Sequence, residues 1–192
     1  ASRMVIVLAG VAVSSFIGAI TDTILTLKPD TVMARAGFII GGFSGITMDR
    51  VAFAGIIILI AFFIALILSY DMNVLALGDE SAKSLGLNVI GVRFSSLIIA
   101  AVLAGSAISF AGLIGFVGLI VPHASRFLVG HDNRIIIPVS ALIGSIFTLL
   151  CDLLARVLFA PYEIPVGIIM SFLGGPFFIY LLMKRRRGQL YD

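Results

Sequence analysis

The sequence predicts an all-α fold, a polytopic transmembrane bundle of about six spans with short interfacial and connecting helices. Three observations carry that expectation. Of the 192 residues 60% are hydrophobic and only 12% charged, against about 25% charged in an ordinary soluble domain. Mean hydropathy is +1.20, so a core of this size cannot hide the apolar surface from water and the solvent must be partly lipid. Finally, the apolar residues fall in runs near the length of about 20 residues that a helix needs to cross a hydrocarbon layer of about 30 Å.

The first run is Met4–Ile20, with a continuation to Leu27 open. Residues 30–50 are mixed and rich in glycine (Gly37, Gly41, Gly42, Gly45), which suits a short interfacial helix followed by a turn. Val51–Tyr70 is almost unbroken and is the clearest span. Asp71–Gly91 is the most polar internal segment and reads as a loop. Within it Gly78 and Gly86 bracket a short amphipathic helix, with Asp79 near its N-terminus, where the helix dipole favours a carboxylate. Val92–Ala111 and Leu113–Val129 are the third and fourth spans, the latter interrupted by Pro122. Gly130–Arg134 is a tight polar turn, and Ile135–Phe159 is the fifth span. Pro165 suits the first turn of a sixth, which runs to about Met183, is interrupted at Gly174-Gly175-Pro176, and closes on Lys184-Arg185-Arg186-Arg187.

Six spans put both ends of the chain on one side. With the basic C-terminal run inside, nine Lys and Arg residues fall on the inner side (Arg3, Lys83, Arg93, Arg126, Arg134 and Lys184 to Arg187) and four on the outer (Lys28, Arg35, Arg50, Arg156). That bias follows the positive-inside rule and places the polar segment Asp71–Gly91 in the cytoplasm. The net charge of +3 is therefore read as topology and not as nucleic-acid binding. The N-terminal apolar run is too long for a signal-peptide core and lacks a cleavage site.

Four features stand out as carriers of function. The polar segment is either a surface loop on lipid headgroups or a docking surface for a soluble partner. The glycines Gly112, Gly115 and Gly118, three apart and followed by Pro122 and His123, fit close helix packing in lipid; His123 fits a locally satisfied polar residue better than a ligand. Asp152 and Arg156 are four apart on one helix face and make either a local ion pair or, through Arg156, an external docking point. The Gly174–Pro176 run is a kink or a discontinuity in a helix lining a pathway.

The sequence contains no GxxxxGK[ST] loop, so it is not expected to bind ATP through a Walker motif. Lone Cys151 and the two histidines offer neither a CxxC pair nor a metal-spaced cluster. The spans carry no Asp, Glu or Lys near their centres, which counts against ion-coupled transport. If the protein pumps, its energy is expected from another subunit through the polar segment.

MNVLALGDESAKSLGLNV (72–89), FAGLIGFVGLIVPHASRFLVGHDNRIIIPVSALIGS (110–145) and DLLARVLFAPYEIPVGIIMSFLGGPFFIYLL (152–182), with LAGVAVSSF near the start and GGFSGI at 41–46, resemble the FecCD-type permeases. These are membrane subunits of ATP-binding-cassette (ABC) importers for iron-siderophores, haem and vitamin B12. The resemblance covers essentially the whole chain, with its segments in the family's order. It implies a single transmembrane domain over residues 1–192 that corresponds to the last six of about ten spans of a type II importer permease, the first four being absent.

It also implies roles. Residues Leu75, Ala76, Leu77, Gly78, Asp79, Glu80, Ser81, Lys83, Leu85 and Gly86 match the coupling loop that docks on the ABC ATPase subunit. Arg156, with Glu163 nearby, matches a periplasmic docking point for a soluble substrate-binding protein. Ser2 and Arg3 fall near a gating loop, and Gly174, Gly175 and Pro176 on a helix lining the pathway. The expected assembly is a homodimer in a prokaryotic cytoplasmic membrane, with the C-terminus inside. No cofactor or metal is expected in this chain, ATP and magnesium belonging to the partner, and no nucleic acid. The competing readings are an ATP-independent secondary transporter, and a membrane scaffold or inactive fragment.

Overall fold

The computed structural model of the chain describes residues 3–28 and 30–188. Every regular element among them is helical: α1 (Arg3–Leu27), α2 (Thr31–Ile40), α3 (Met48–Leu75), α4 (Asp79–Ser84), α5 (Val89–Ala111), α6 (Val117–Val129), α7 (Asn133–Val157) and α8 (Val166–Gly188). The chain divides into two units, Ala1–Ile39 and Ile40–Asp192.

In the first unit, α1 continues through Leu27, so the longer of the two expected boundaries holds. Its last two turns carry Thr21, Asp22, Thr23 and Thr26 among apolar residues. Thr21, Thr23 and Thr26 return their hydroxyls to the carbonyls of Ile17, Ala19 and Asp22, which removes three donors from the apolar surroundings. Asp22 pairs with Arg35 of α2 at 3.2 Å.

The second unit is built on α3. Its inner face carries small residues: Ala54, Ala61, Ala65 and Ser69 are each at most 9% exposed. Its outer face carries Phe53, Ile56, Ile60, Phe63 and Ile67, each more than half exposed. This inverts the pattern of a soluble protein. Lipid solvates large side chains as well as a protein core does, so association depends on close backbone approach over small residues. The small face seats α3 against α5 and α7, and the large face stays exposed.

Four helices are long and apolar enough to span a bilayer: Val7–Leu27, Val51–Leu75, Val89–Ala111 and Asn133–Val157. α6 has 13 residues, about 20 Å of helix. The expected fourth span, Leu113–Val129, is helical only from Val117. Residues 112–116 form a break in which Gly112 (φ +72°) ends α5 and Phe116 takes a left-handed conformation (φ +65°). The glycine run thus terminates helices where close helix packing was expected. Nor is α8 interrupted: Pro176 lies inside a continuous helix, at the cost of its bond to the Phe172 carbonyl.

Bond partners place the elements at two ends of this unit. One end gathers the α3–α4–α5 connection and the α6–α7 turn. The other gathers 40–47, the 112–116 break and the α7–α8 connection, joined by bonds from Gly42 N–H to Ala111 O (2.9 Å) and from Gly167 N–H to Gly41 O (3.2 Å). The buried core lies toward this second end, where Cys151 and Ala155 of α7 meet Val166, Ile169 and Met170 of α8, with Phe43, Ile114 and Phe147 packed around them.

Candidate functional site

The expected coupling loop is more ordered than a loop. Residues Asp71–Leu75, read as its start, are the last turn of α3, and Val89–Gly91, read as its end, are the first turn of α5. Between them Ala76, Leu77 and Gly78 each return an N–H to a carbonyl of the last α3 turn, at 3.1 to 3.2 Å. Gly78 then turns the chain at φ +103°, a conformation that favours glycine.

α4 follows, carrying Asp79 and Glu80 in its first turn and Lys83 in its last, the charge order the helix dipole favours. Its end is a Schellman motif. Gly86 is left-handed (φ +83°), Leu87 N–H reaches Ala82 O at 3.0 Å, and Gly86 N–H reaches Lys83 O at 2.9 Å. The glycines chosen from sequence as brackets therefore do bracket the helix, each through a positive φ.

α4 is anchored on one side and open on the other. Ala82 is fully buried, and the Asp79 carboxylate accepts from Arg93 of α5 at 2.8 Å. Leu77 and Leu85 are about two-thirds exposed, at 66% and 67%, beside exposed Glu80, Ser81 and Lys83. The six-residue helix, with Leu77 and Leu85 flanking it, thus presents two leucines and charges of both signs at one end of the bundle.

The same end holds a constellation that the sequence reading missed. Asn73 of α3 donates its amide to Asp132 Oδ1 at 2.6 Å and accepts from Asn133 N–H at 2.8 Å. Asp132 caps α7 by accepting from Arg134 N–H at 2.9 Å. The bonds from Arg134 N–H and Asn73 hold the Asp132 carboxyl below the usual carboxylate range, with the Arg134 charge adding to them. The Arg134 guanidinium lies 4.5 Å from the centre of the Tyr70 ring. Asp-Asn-Arg carries a visible cap signal; its partner 59 residues away leaves none.

At the other end, Arg156 Nε meets Asp152 Oδ2 at 2.9 Å, the i,i+4 pair read from the sequence. Arg156 remains 47% exposed. Glu163 lies at the same end and accepts from Ser44 Oγ at 3.0 Å. Ser44 belongs to GGFSGI, which the sequence reading quoted only for its likeness.

Among the expected pathway residues, Ser2 lies outside the described residues. Arg3 opens α1, and nothing is described of its side chain. Gly174 is buried, and a methyl group there would collide with the Phe116 ring, so this glycine gives room to an aromatic side chain. Gly175 has open space around it. His123 Nδ1 is paired with the Leu119 carbonyl at 3.0 Å on its own helix. Among the described residues, no three His, Cys, Asp or Glu side chains gather as a metal site would require.

Comparison with known proteins assigns the chain. Residues 1–184 match the profile of the FecCD transport family. The iron(3+)-hydroxamate import system permease protein FhuB of Bacillus subtilis is 39% identical over 94% of this chain and 47% of its own length. The cobalamin import system permease protein BtuC of Halobacterium salinarum is 39% identical over 94% of this chain and 48% of its own. Among solved structures, one described as a metal-chelate type ABC transporter in an inward-facing conformation superposes with a TM-score of 0.83 at 29% identity, over 95% of this chain and 60% of that one. The chain spans about half the length of the curated relatives it matches. By profile, sequence and architecture together, this multi-pass membrane protein belongs to the FecCD transport family.

Proposed function

We propose that the chain serves as a transmembrane permease subunit of an ABC importer that carries a metal-chelate, such as an iron-siderophore, haem or cobalamin, across a prokaryotic cytoplasmic membrane. The observation that carries this reading is α4. It is held rigidly to α5 by Asp79–Arg93 and to α3 by a turn in which every N–H is bonded, while Leu77, Glu80, Lys83 and Leu85 face outward. A displacement imposed on those four side chains passes to two spans without first deforming a flexible loop. An ATPase subunit, binding ATP and magnesium itself, would impose that displacement and alternate the access of a pathway between two permease copies. The C-terminus and α4 lie on the cytoplasmic side in this reading, and a soluble substrate-binding protein delivers cargo to Arg156 and Glu163 at the far end. The chain makes and breaks no covalent bond.

The test is a charge reversal on α4. Glu80→Arg combined with Lys83→Glu changes only exposed side chains, so membrane insertion should be retained, with thermal stability lowered only by the lost match to the α4 dipole, about 0.3–1 kcal/mol per charge. Copurification with the ATPase and ATP-driven uptake should fall together. Unchanged ATPase binding would remove α4 from the docking surface.

At the far end, Arg156→Glu should weaken capture of the loaded binding protein. It also sets two carboxylates at i,i+4, so Asp152→Asn serves as the control for stability alone. If both variants lose stability and neither loses affinity, Arg156 is a local ion-pair partner and no docking point.

A further inference from the structure

The docking reading uses α4, the turn before it and α5. It leaves unused the polar knot between α3 and the start of α7. We propose that Asn73 is a positioning residue, a latch that carries displacement of α4 into α7 through Asp132 and Asn133.

Asn73 stands six residues before Asp79, and the intervening backbone is bonded back onto α3 throughout. An impulse on α4 therefore reaches Asn73 through a short stiff lever. There one side chain makes two bonds of opposite sense: its Nδ2 donates to Asp132 Oδ1 and its Oδ1 accepts from Asn133 N–H. Of side chains this size, only a carboxamide supplies a donor and an acceptor in that geometry; aspartate lacks the donor and leucine lacks both. Asp132 Oδ1 is shared with Arg134 N–H, so the latch grips the N-cap of α7 and not a mobile side chain. Tyr70, one turn earlier on α3, takes the Arg134 guanidinium on its ring, giving the α3–α7 junction a second point of attachment. α7 runs from this junction to Asp152 and Arg156 at the opposite end. The latch thus connects the end proposed to feel ATP with the end proposed to meet the binding protein, along one continuous helix.

The inference rests on α4 being the ATPase-docking element, and its test separates the two claims. Asn73→Asp keeps the acceptor for Asn133 N–H but sets a carboxylate against Asp132. Asp132→Asn added to it removes the second negative charge while the carboxamide oxygen, in the place of Oδ1, still caps α7; because that one oxygen served both Asn73 and Arg134, the pair restores no bond to residue 73. The complex of the permease with its ATPase is followed by amide hydrogen exchange, with and without ATP and magnesium. The segments read are 79–93 and 130–137, and thermal stability is measured alongside.

In the unaltered protein, ATP changes exchange in both segments. Asn73→Asp should retain ATPase binding and the response of 79–93, while the response of 130–137 falls about fivefold or more. The paired substitution should leave it low. A response of 130–137 that persists in Asn73→Asp overturns the latch, as does its recovery in the paired substitution, because charge repulsion and not the lost bond would then account for the fall. Loss of both responses or of ATPase binding in Asn73→Asp overturns it too, because Asn73 would then merely support α4. If the unaltered protein shows no ATP-dependent change in 79–93, the docking reading itself falls and takes the latch's proposed role with it.

Discussion

Three glycines in the strap 41–45 separate backbone conformation from crowding. Gly41 and Gly45 share a φ of +74°, while Gly42 has no positive φ. A Cβ on Gly45 meets nothing within 4 Å, and one on Gly42 finds the Pro165 Cα and Cβ at 3.6 Å, an ordinary contact. A Cβ on Gly41 would lie 2.5 Å from the Leu113 carbonyl oxygen and 3.1 Å from Ile114 Cγ1. Replacing glycine by alanine also restricts the unfolded chain, which favours folding by about 0.4–1 kcal/mol at all three sites and cancels in the comparison. Gly45→Ala adds the left-handed penalty of about 1–2 kcal/mol. Gly41→Ala adds that penalty and overpacking against backbone, about 1–3 kcal/mol more. The expected order of damage is Gly42→Ala, then Gly45→Ala, then Gly41→Ala, with the last costing about 2–5 kcal/mol more than the first. For a chain of this size that separates apparent melting temperatures by on the order of 10 °C. Detergent-solubilised protein heated at one fixed rate and assayed by size-exclusion chromatography gives the ranking even if unfolding is irreversible. Equal loss for Gly45→Ala and Gly41→Ala would show that crowding against Leu113 contributes nothing. Damage from Gly42→Ala matching that from Gly41→Ala would refute the seat assigned to the strap.

Two further outcomes follow from the packing and the charges. Gly174→Ala should destabilise the contact of α8 with Phe116 by about 1–3 kcal/mol, and Phe116→Ala in the same chain should recover part of that loss; additive losses in a double-mutant cycle would show that the two residues do not meet. Asp132, whose pKa is lowered in the folded protein, contributes stability that is fully present above the ordinary carboxylate value of about 3.9. That contribution is lost as pH falls through the lowered folded value, because the unfolded state then binds the proton more readily. Melting curves from about pH 7 to about pH 3 should converge for the unaltered protein and Asp132→Asn toward the acid end; a constant difference across that range would refute the assignment.

What could be read from the sequence follows from how local each signal is. The run Val51–Tyr70 is apolar all round, so it announces a span without a period, and its small residues at 54, 61, 65 and 69 mark the face that packs. α4 was legible because both boundaries are glycines with positive φ and its charges follow the dipole. The glycines at 112–118 misled because glycine both permits close packing and ends helices. Spacing cannot separate these uses; here Gly112 ends α5 and the chain stays non-helical to Phe116. The Gly-Gly-Pro run allowed a kink or a discontinuity, and the continuous helix removes the second. A proline removes one bond and kinks a helix, yet α8 continues through it, and the requirement for Gly174 comes from an aromatic ring 58 positions earlier. Ser44–Glu163 and Asn73–Asp132 are pairs of ordinary surface residues far apart in sequence. Nothing in either local pattern identifies its partner.

The two ends of the residue 40–192 unit are built for different mechanical tasks. At the α4 end, directional polar contacts join α3, α4, α5 and α7 beside the buried side chains of Ala82, Val89 and Ile136: Asp79–Arg93, Asn73–Asp132, Asn73–Asn133 and Arg134 over Tyr70. Directional bonds of this kind hold an angle, and they can be broken and remade singly in an interface wet enough to supply substitutes. At the opposite end the ties are buried apolar contacts of Cys151, Ala155, Val166 and Met170, and backbone bonds through Gly42 and through Gly41 and Gly167, where a Cβ would collide with backbone. Close packing of that sort has few alternative arrangements. A force entering at α4 would therefore meet angle-holding polar bonds near its point of entry and a close-packed block beyond them. α7 crosses from one to the other, so rotation of its first turn would tilt the packed end as a body, and the Asp152–Arg156 pair with it. In the proposed coupling, specificity would lie in the few polar bonds around Asn73 and Asp79, and the apolar core would keep the response collective.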